Sequence, residues 1–146
     1  MRLNTKVRYG TRAMLELALH YEGSAVSLAE IAVSQEISEK YLELLFASLR
    51  SAGLVRSQRG AQGGYFLARP PDQITLREVF DVFEGPEPYA PCTLDHSTCD
   101  RWAVCVTQEV WVEMYRASMQ VLESTTLASL VTRSTQRSAA SAMYTI

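Results

Sequence analysis

The chain has 146 residues and a mean hydropathy near zero, which fits one folded domain with an appended element. No apolar run approaches the roughly 20 residues that a membrane span requires. The amino-terminal residues also lack the apolar core of a signal peptide. We therefore expect a cytoplasmic protein with no membrane partner.

The net charge of −2 is unevenly distributed along the chain. Residues 1–77 hold ten Lys and Arg against seven Asp and Glu, a net charge of +3. Residues 78–146 hold four against nine, a net charge of −5. A basic first half suits contact with phosphates, so the asymmetry favours a nucleic-acid surface in that half.

Three helices are predicted in the first 53 residues. Apolar residues at helical spacing predict a helix over about 5–21. A capping box at Ser27 opens a second helix over 28–35, and Ser38 caps a third that ends at Gly53. The third helix has apolar residues at positions i, i+3, i+4 and i+7, which are Leu42, Leu45, Phe46 and Leu49.

The pattern then changes from helical to extended. Residues 54–58 and 65–68 are predicted as short strands, joined by the glycine-rich loop 59–64. Two helices joined by a tight turn, with a hairpin behind them, are typical of a winged helix-turn-helix. The predicted fold is therefore mainly α with a small β-hairpin wing.

The second half begins with a helix after the capping box at Thr75. A helix over about 102–123 follows an irregular loop and carries an apolar stripe formed by Val106, Val110, Met114, Ala117 and Val121. On so small a domain this stripe needs a partner surface. The expected units are a DNA-binding domain over 1–84, a cysteine-containing loop over 85–101, a dimerisation helix with a short following helix over 102–131, and a flexible tail over 132–146.

The third helix is the expected reading helix in the major groove. Lys40 and Tyr41 can hold phosphates, and Glu43 can accept a hydrogen bond from cytosine N4, although a solvated helix face is the alternative. Arg56 and Arg59 flank the hairpin loop, whose glycines let the backbone approach a phosphate closely. An arginine at this place can also enter a narrow minor groove. The predicted DNA-binding set is Lys6, Ser38, Lys40, Tyr41, Glu43, Arg56, Arg59 and Gly60.

The three cysteines of the chain, Cys92, Cys99 and Cys105, lie within 14 residues. An odd, clustered set fits metal ligation or redox chemistry better than structural disulfides. Thiolates select zinc or iron–sulfur clusters, and the tight C-x2-C pairs of zinc ribbons are absent. The alternative is three partly buried thiols without a ligand.

Three segments resemble the IscR/NsrR/CymR family of bacterial transcription regulators. They are MRLNTKVRYGTRAMLELALHY, SEKYLELLFASLRSAGLVRSQRGAQGGYFLARPP and ITLREVFDVFEGP. The resemblance covers about residues 1–131, and its most specific part is the RGAQGGY wing. It implies a homodimer, a two-fold symmetric double-stranded DNA operator, and an iron–sulfur cluster (2Fe–2S or 4Fe–4S) on the three cysteines, as in the IscR-type branch.

The fourth cluster ligand departs from this family pattern. IscR-type proteins place a histidine where this chain has Gln108, and the NsrR branch uses an aspartate at the position of Arg8. His96 is therefore the candidate fourth ligand and Gln108 the alternative, while an exposed loop histidine without a metal is equally compatible with the sequence. The terminal residues 142–146 resemble CymR-type regulators instead, which lack this cysteine set.

We therefore expect a regulator that senses iron–sulfur cluster status and controls genes of iron–sulfur assembly or of cysteine and sulfur metabolism. The alternatives are a nitric oxide or redox-sensing repressor of the same family, and a CymR-like regulator controlled by a protein partner without a cluster. An enzyme is not expected, because the sequence shows neither a nucleophile–base arrangement near the cysteines nor a phosphate-binding loop.

Overall fold

The computed structural model describes residues 3–85 and 90–143. In chain order the elements are α1 (Thr5–Leu19), α2 (Leu28–Gln35), α3 (Glu39–Ser51), β1 (Val55–Gln58), β2 (Gly64–Leu67), α4 (Leu76–Glu84), α5 (Val106–Ser124) and α6 (Leu127–Met143). The mainly α fold with a small hairpin wing is thereby confirmed. Within the described ranges, no helix has the length and apolar character needed to cross a membrane.

The predicted caps define where α2, α3 and α4 begin. At α2 the Ser27 side chain accepts the backbone N–H of Glu30, and the Glu30 carboxylate accepts the backbone N–H of Ser27 at 2.7 Å. Thr75 and Glu78 form the same reciprocal pair at α4, and the side chain of Ser38 caps α3. These bonds satisfy N–H groups that have no partner within the helix.

One apolar core joins α1, α2, α3, the hairpin, α4 and the first turn of α6. Gly10 allows α4 to approach α1 closely, since a Cβ at this position would lie 2.3 Å from Cε2 of Phe83. The largest side chains without exposed surface include Phe46, Met14, Leu17, Ile31, Leu42, Leu45, Leu49, Ile74, Val79 and Leu127.

The hairpin is attached to the body of the domain by a third extended segment. β1 and β2 are antiparallel, with Val55 opposite Leu67. Val26 adds a bridge to Tyr65, with N–H to carbonyl distances of 3.1 and 2.8 Å. A Cβ on Gly64 would lie 2.5 Å from the carbonyl oxygen of Val26, so only glycine fits where the hairpin meets this segment.

After α5 the chain returns to the core formed by α1–α4 and the hairpin. The N–H of Leu127 donates to the carbonyl of Ile74 at 3.0 Å, and the N–H of Leu76 donates to the carbonyl of Thr125 at 2.8 Å. Leu127 has no exposed surface. The start of α6 is therefore part of the same apolar core, whereas the sequence predicted residues 102–131 as a unit apart from residues 1–84.

The carboxyl-terminal elements differ from the expectation in two ways. α5 begins at Val106, because residues 102–104 form a 3-10 turn and Cys105 takes the cap position. The expected tail over 132–146 is helical as far as Met143, within the continuous α6. The range 127–143 contains neither Gly nor Pro, so its Ser and Thr content was a poor indicator of irregular structure.

We expect Leu127→Ala to lower the free energy of unfolding by about 2–5 kcal/mol, because it removes a fully buried side chain from the shared core. Met143→Ala, at the exposed end of the same helix, should change it by less than about 0.5 kcal/mol. Urea unfolding at fixed protein concentration measures both values. Equal effects of the two substitutions would contradict the placement of α6 in the core.

Candidate nucleic-acid interface and cysteine loop

The orientation of α3 follows from its single buried face. Leu42, Leu45, Phe46 and Leu49 lie in the core. The opposite face is therefore turned to solvent, and its exposed residues are Glu39, Lys40, Glu43, Leu44, Ala47 and Ser48. Lys40 and Glu43 are thus exposed on the side of α3 that faces away from the core.

The turn between α2 and α3 is held by two charged residues of α1. Glu36 adopts the left-handed conformation, with φ 53° and ψ 46°. The Arg12 guanidinium donates to the side-chain oxygen of Gln35 at 3.1 Å and also to its backbone carbonyl. The carboxylate of Glu16, which is 8% exposed, accepts bonds of 2.7 Å from the Ser34 hydroxyl and from the Gln35 amide.

Sequence reasoning missed Arg12 and Glu16. A signal for Glu16 was present, because this acidic residue stands between apolar neighbours on the inner face of a predicted helix. Buried carboxylates need hydrogen-bond partners, and only the fold shows that these come from the end of α2.

Tyr41 is more constrained than the sequence suggested. Its ring is half-buried and meets the ring of Tyr9 edge to face, with centroids 5.9 Å apart. Its backbone N–H donates to the Ser38 hydroxyl at 3.3 Å. Ser38 therefore starts the helix, and Tyr41 presents only part of its ring beside the exposed Lys40.

The basic residues that the sequence predicts to contact DNA are exposed and form no ion pair with a described residue. Among residues 3–85 and 90–143, no carboxylate lies within ion-pair distance of the side chains of Lys6, Lys40, Arg56 or Arg59. By contrast, Arg77 donates to Asp81 at 2.8 Å, and this bond raises the pKa of the arginine. The four unpaired cations can therefore bind phosphates without breaking an internal ion pair.

These cations lie on three elements. Lys6 is in the first turn of α1, Lys40 is in the first turn of α3, and the two arginines belong to the wing. The wing turn closes with a bond of 2.9 Å from the N–H of Gly63 to the carbonyl of Gly60. Gly60 has a φ of 114°, a conformation that favours glycine.

The cysteine loop, residues 90–105, consists mainly of short 3-10 turns. Cys92, Cys99 and Cys105 are half-buried and form no disulfide. In the part of the chain that is described, no group of three or more His, Cys, Asp or Glu side chains is placed to hold a metal ion. The loop brings the three thiols into one segment but does not gather them.

The two candidate fourth ligands line an open cleft of about 810 Å³ between the loop and α5. His96 stacks on Trp102 with ring centroids 3.9 Å apart, and Gln108 is only 7% exposed. The indole Nε1 of Trp102 is buried and has no acceptor among the described residues. Within the described ranges, His96 does not form a group of three or more potential metal ligands with the cysteines.

Cys105 has the environment of a reactive thiol. The Thr107 hydroxyl lies 3.2 Å from its sulfur, and this hydrogen bond, with further backbone N–H donors, lowers the pKa of the Cys105 thiol. Cys105 also occupies the cap position at the amino-terminal end of α5, where the helix dipole favours negative charge. Both effects favour the thiolate, which is the form that ligates iron.

The apolar stripe of α5 is not covered by the described part of the chain. The exposed fractions of Val106, Val110, Met114 and Val121 are 74%, 55%, 39% and 63%. Within α5 the buried residues are Gln108 and Met119. The stripe predicted from the sequence therefore faces away from the protomer's own core.

Comparison with known proteins places the whole arrangement in one family. The profile of the Rrf2 family, described as an iron-dependent transcriptional regulator, matches residues 3–133. Protein rrf2 of Nitratidesulfovibrio vulgaris is 41% identical over 131 residues, which are 90% of this chain and 87% of that protein.

Two solved structures show the same fold. CymR, the global cysteine regulator of B. subtilis, matches with a TM-score of 0.80 and 38% identity, over 91% of this chain and 98% of that one. T. potens IscR matches with a TM-score of 0.76 and 40% identity, over 92% and 88% of the two chains. The chain therefore belongs to the Rrf2 family of transcriptional regulators.

Proposed function

We propose that the protein is a homodimeric regulator that binds a two-fold symmetric operator with an affinity set by an iron–sulfur cluster on Cys92, Cys99 and Cys105. One observation carries the proposal. The segment that joins α4 of the DNA-binding domain to α5 contains all three cysteines of the chain, each half-buried and without a disulfide.

The chemistry of the donor set fits such a cluster, because three thiolates in one segment select iron–sulfur centres or zinc. The structure does not gather the three thiols, so the cysteines would hold a cluster only after the loop rearranged. Several hydrogen bonds of the loop are local, such as that from the N–H of Trp102 to the carbonyl of Cys99 at 3.0 Å. Rearrangement therefore breaks few bonds to the rest of the domain.

His96 is the proposed fourth ligand, because imidazole is a better iron ligand than the amide of Gln108. In the structure its ring stacks on Trp102. The buried indole N–H that lacks an acceptor also supports a loop that takes up a further group. Cluster closure would therefore change the packing of the segment that begins α5.

A physical route from the loop to the DNA-binding domain runs through α4. The guanidinium of Arg77 in α4 donates to Asp81 of the same helix and to Glu123 of α5, the second bond being 3.2 Å long. The cysteine loop connects these same two helices, so its closure would bias their relative position. α4 packs on α1 through Gly10, and α1 holds the turn before the reading helix.

The proposed dimer interface is the apolar stripe of α5. The helix has 19 residues and a length of about 28 Å, enough for a partner helix to cross it. A second copy of the same stripe is the simplest cover, because a two-fold interface uses one surface twice. Such a dimer would present two copies of α3 to two operator half-sites.

A CymR-like regulator without a cluster is the second candidate. It is favoured by the match to the CymR structure over 98% of that chain, and by the ungathered thiols. Tyr144, Thr145 and Ile146, which carry part of the CymR-like ending, lie outside the described residues. A nitric oxide or redox sensor would use the proposed cluster with a different trigger. Iron content distinguishes these two cluster-bearing regulators from the CymR-like regulator without a cluster.

Arg59→Ala should weaken operator binding by about 1–3 kcal/mol, because it removes an unpaired cation from the wing. Arg133→Ala, an equal loss of charge at an exposed position of α6, is the matched control. Fluorescence anisotropy at fixed salt measures both dissociation constants. Equal dissociation constants for the two variants would show that the wing does not contact DNA.

Replacement of Cys92, Cys99 or Cys105 by alanine should each abolish iron incorporation while the protein stays folded, because the apolar core closes without the loop. Ser97→Ala changes an exposed loop residue and should retain iron. Iron-to-protein ratios and Mössbauer spectra of anaerobically prepared samples provide the measurement. Full iron content in a triple cysteine variant, or zinc alone at full occupancy, would contradict the proposed site.

Met114→Glu should give monomers that bind operator poorly, because it places a charge in the apolar stripe. Gln120→Glu adds the same charge at an exposed position of α5 outside the stripe, and should leave the dimer intact. Sedimentation velocity at micromolar concentration distinguishes the species. A monomeric unaltered protein would rule out the proposed interface.

A further inference from the structure

Leu44 is an exposed leucine at the centre of the outer face of α3. Its side chain is 65% exposed, whereas Leu42 and Leu45 on either side of it are buried. It follows Lys40 by four residues, so the two side chains are neighbours on one helix face. Ala47, also exposed, extends this apolar spot.

The position of Leu44 restricts what can cover it. The core of the domain lies on the opposite side of α3, and the residues around Leu44 on its own face are small or polar. If α3 enters the major groove, as the proposed function requires, the surface opposite Leu44 is the edge of a base pair. An isobutyl group offers no hydrogen bond, so the polar atoms of a base edge cannot pair with it.

One base in ordinary DNA offers an apolar group in the major groove, which is the C5-methyl group of thymine. Lys40, one turn earlier, can hold the adjacent phosphate, and Glu43 can accept a hydrogen bond from a neighbouring cytosine. Burial of the methyl group against Leu44 removes apolar surface of both groups from water. Each of the other three bases would leave the leucine facing polar atoms or a less complete contact.

We propose that Leu44 is a specificity-determining residue that contacts the C5-methyl group of one thymine in each operator half-site. The inference rests on the proposed role of α3 as reading helix and adds the base-pair class that this helix selects. The proposed contact joins the Leu44 side chain to one methyl group, and either partner can be removed without the other.

The first step of the test selects high-affinity duplexes from a random library with the unaltered dimer. Each thymine of a selected site is then replaced singly by deoxyuridine, which removes only the methyl group. At one thymine per half-site, the replacement should weaken binding of the unaltered protein about fourfold, the factor expected for one buried methyl group. Leu44→Ala should bind the thymine and deoxyuridine sites equally at that position.

Val33→Ala is the matched control, because Val33 is an aliphatic residue of α2 that is 82% exposed and lies outside α3. This variant should keep the full sensitivity to deoxyuridine. Thermal unfolding of Leu44→Ala should match that of the unaltered protein, since its side chain is not part of the core.

Two results would overturn the inference. One is a selected site in which no thymine replacement weakens binding, and the other is a sensitivity that Leu44→Ala leaves unchanged. Failure of the library to yield any preferred sequence would instead contradict the proposed DNA-binding function itself. The two failures are therefore distinguishable.

Discussion

The burial of one face of α3 is the constraint on which the proposed DNA-binding surface depends. With Leu42, Leu45 and Leu49 in the core, the rotation of the helix is fixed, and Lys40, Glu43 and Leu44 must face outward. Phe46 also packs on Tyr65 of the hairpin, with ring centroids 4.5 Å apart. The same burial therefore fixes α3 relative to the hairpin, which the proposed contact of both with one stretch of DNA requires.

The cysteine loop, in contrast to α3, lies outside the apolar core. Residues 90–105 contribute nothing to the apolar core and are organised by short-range bonds. A segment of this kind can change conformation at low cost, whereas the core cannot. The loop lies between α4 and α5 in the chain, and Arg77 of α4 links the two helices through Glu123 of α5. The fold thus attaches a locally bonded segment to a packed core, an arrangement that suits the proposed control by a bound group.

Much of this organisation could be predicted from the sequence, because the strongest signals are local. The caps at Ser27, Ser38 and Thr75 and the glycine-rich hairpin depend on neighbouring residues only, and the structure has these elements where they were expected. The exposed stripe of α5 was also visible in its spacing. Other contacts join residues that are distant in sequence, so no local sequence pattern predicts them. Examples are the bonds of Glu16 to the end of α2 and the packing of Leu127 in the core. The proposed fourth cluster ligand is equally beyond a local pattern, since its identity would depend on how the loop folds around a cluster.

The central claim is that the cluster on the cysteine loop sets the affinity for DNA. The most direct test measures operator affinity of one anaerobic sample before and after the iron is removed by a chelator, with the iron content determined each time. The account predicts that the dissociation constant changes by about tenfold or more, a coupling of about 1.4 kcal/mol, while the dimer persists. An unchanged dissociation constant after complete loss of iron would contradict it.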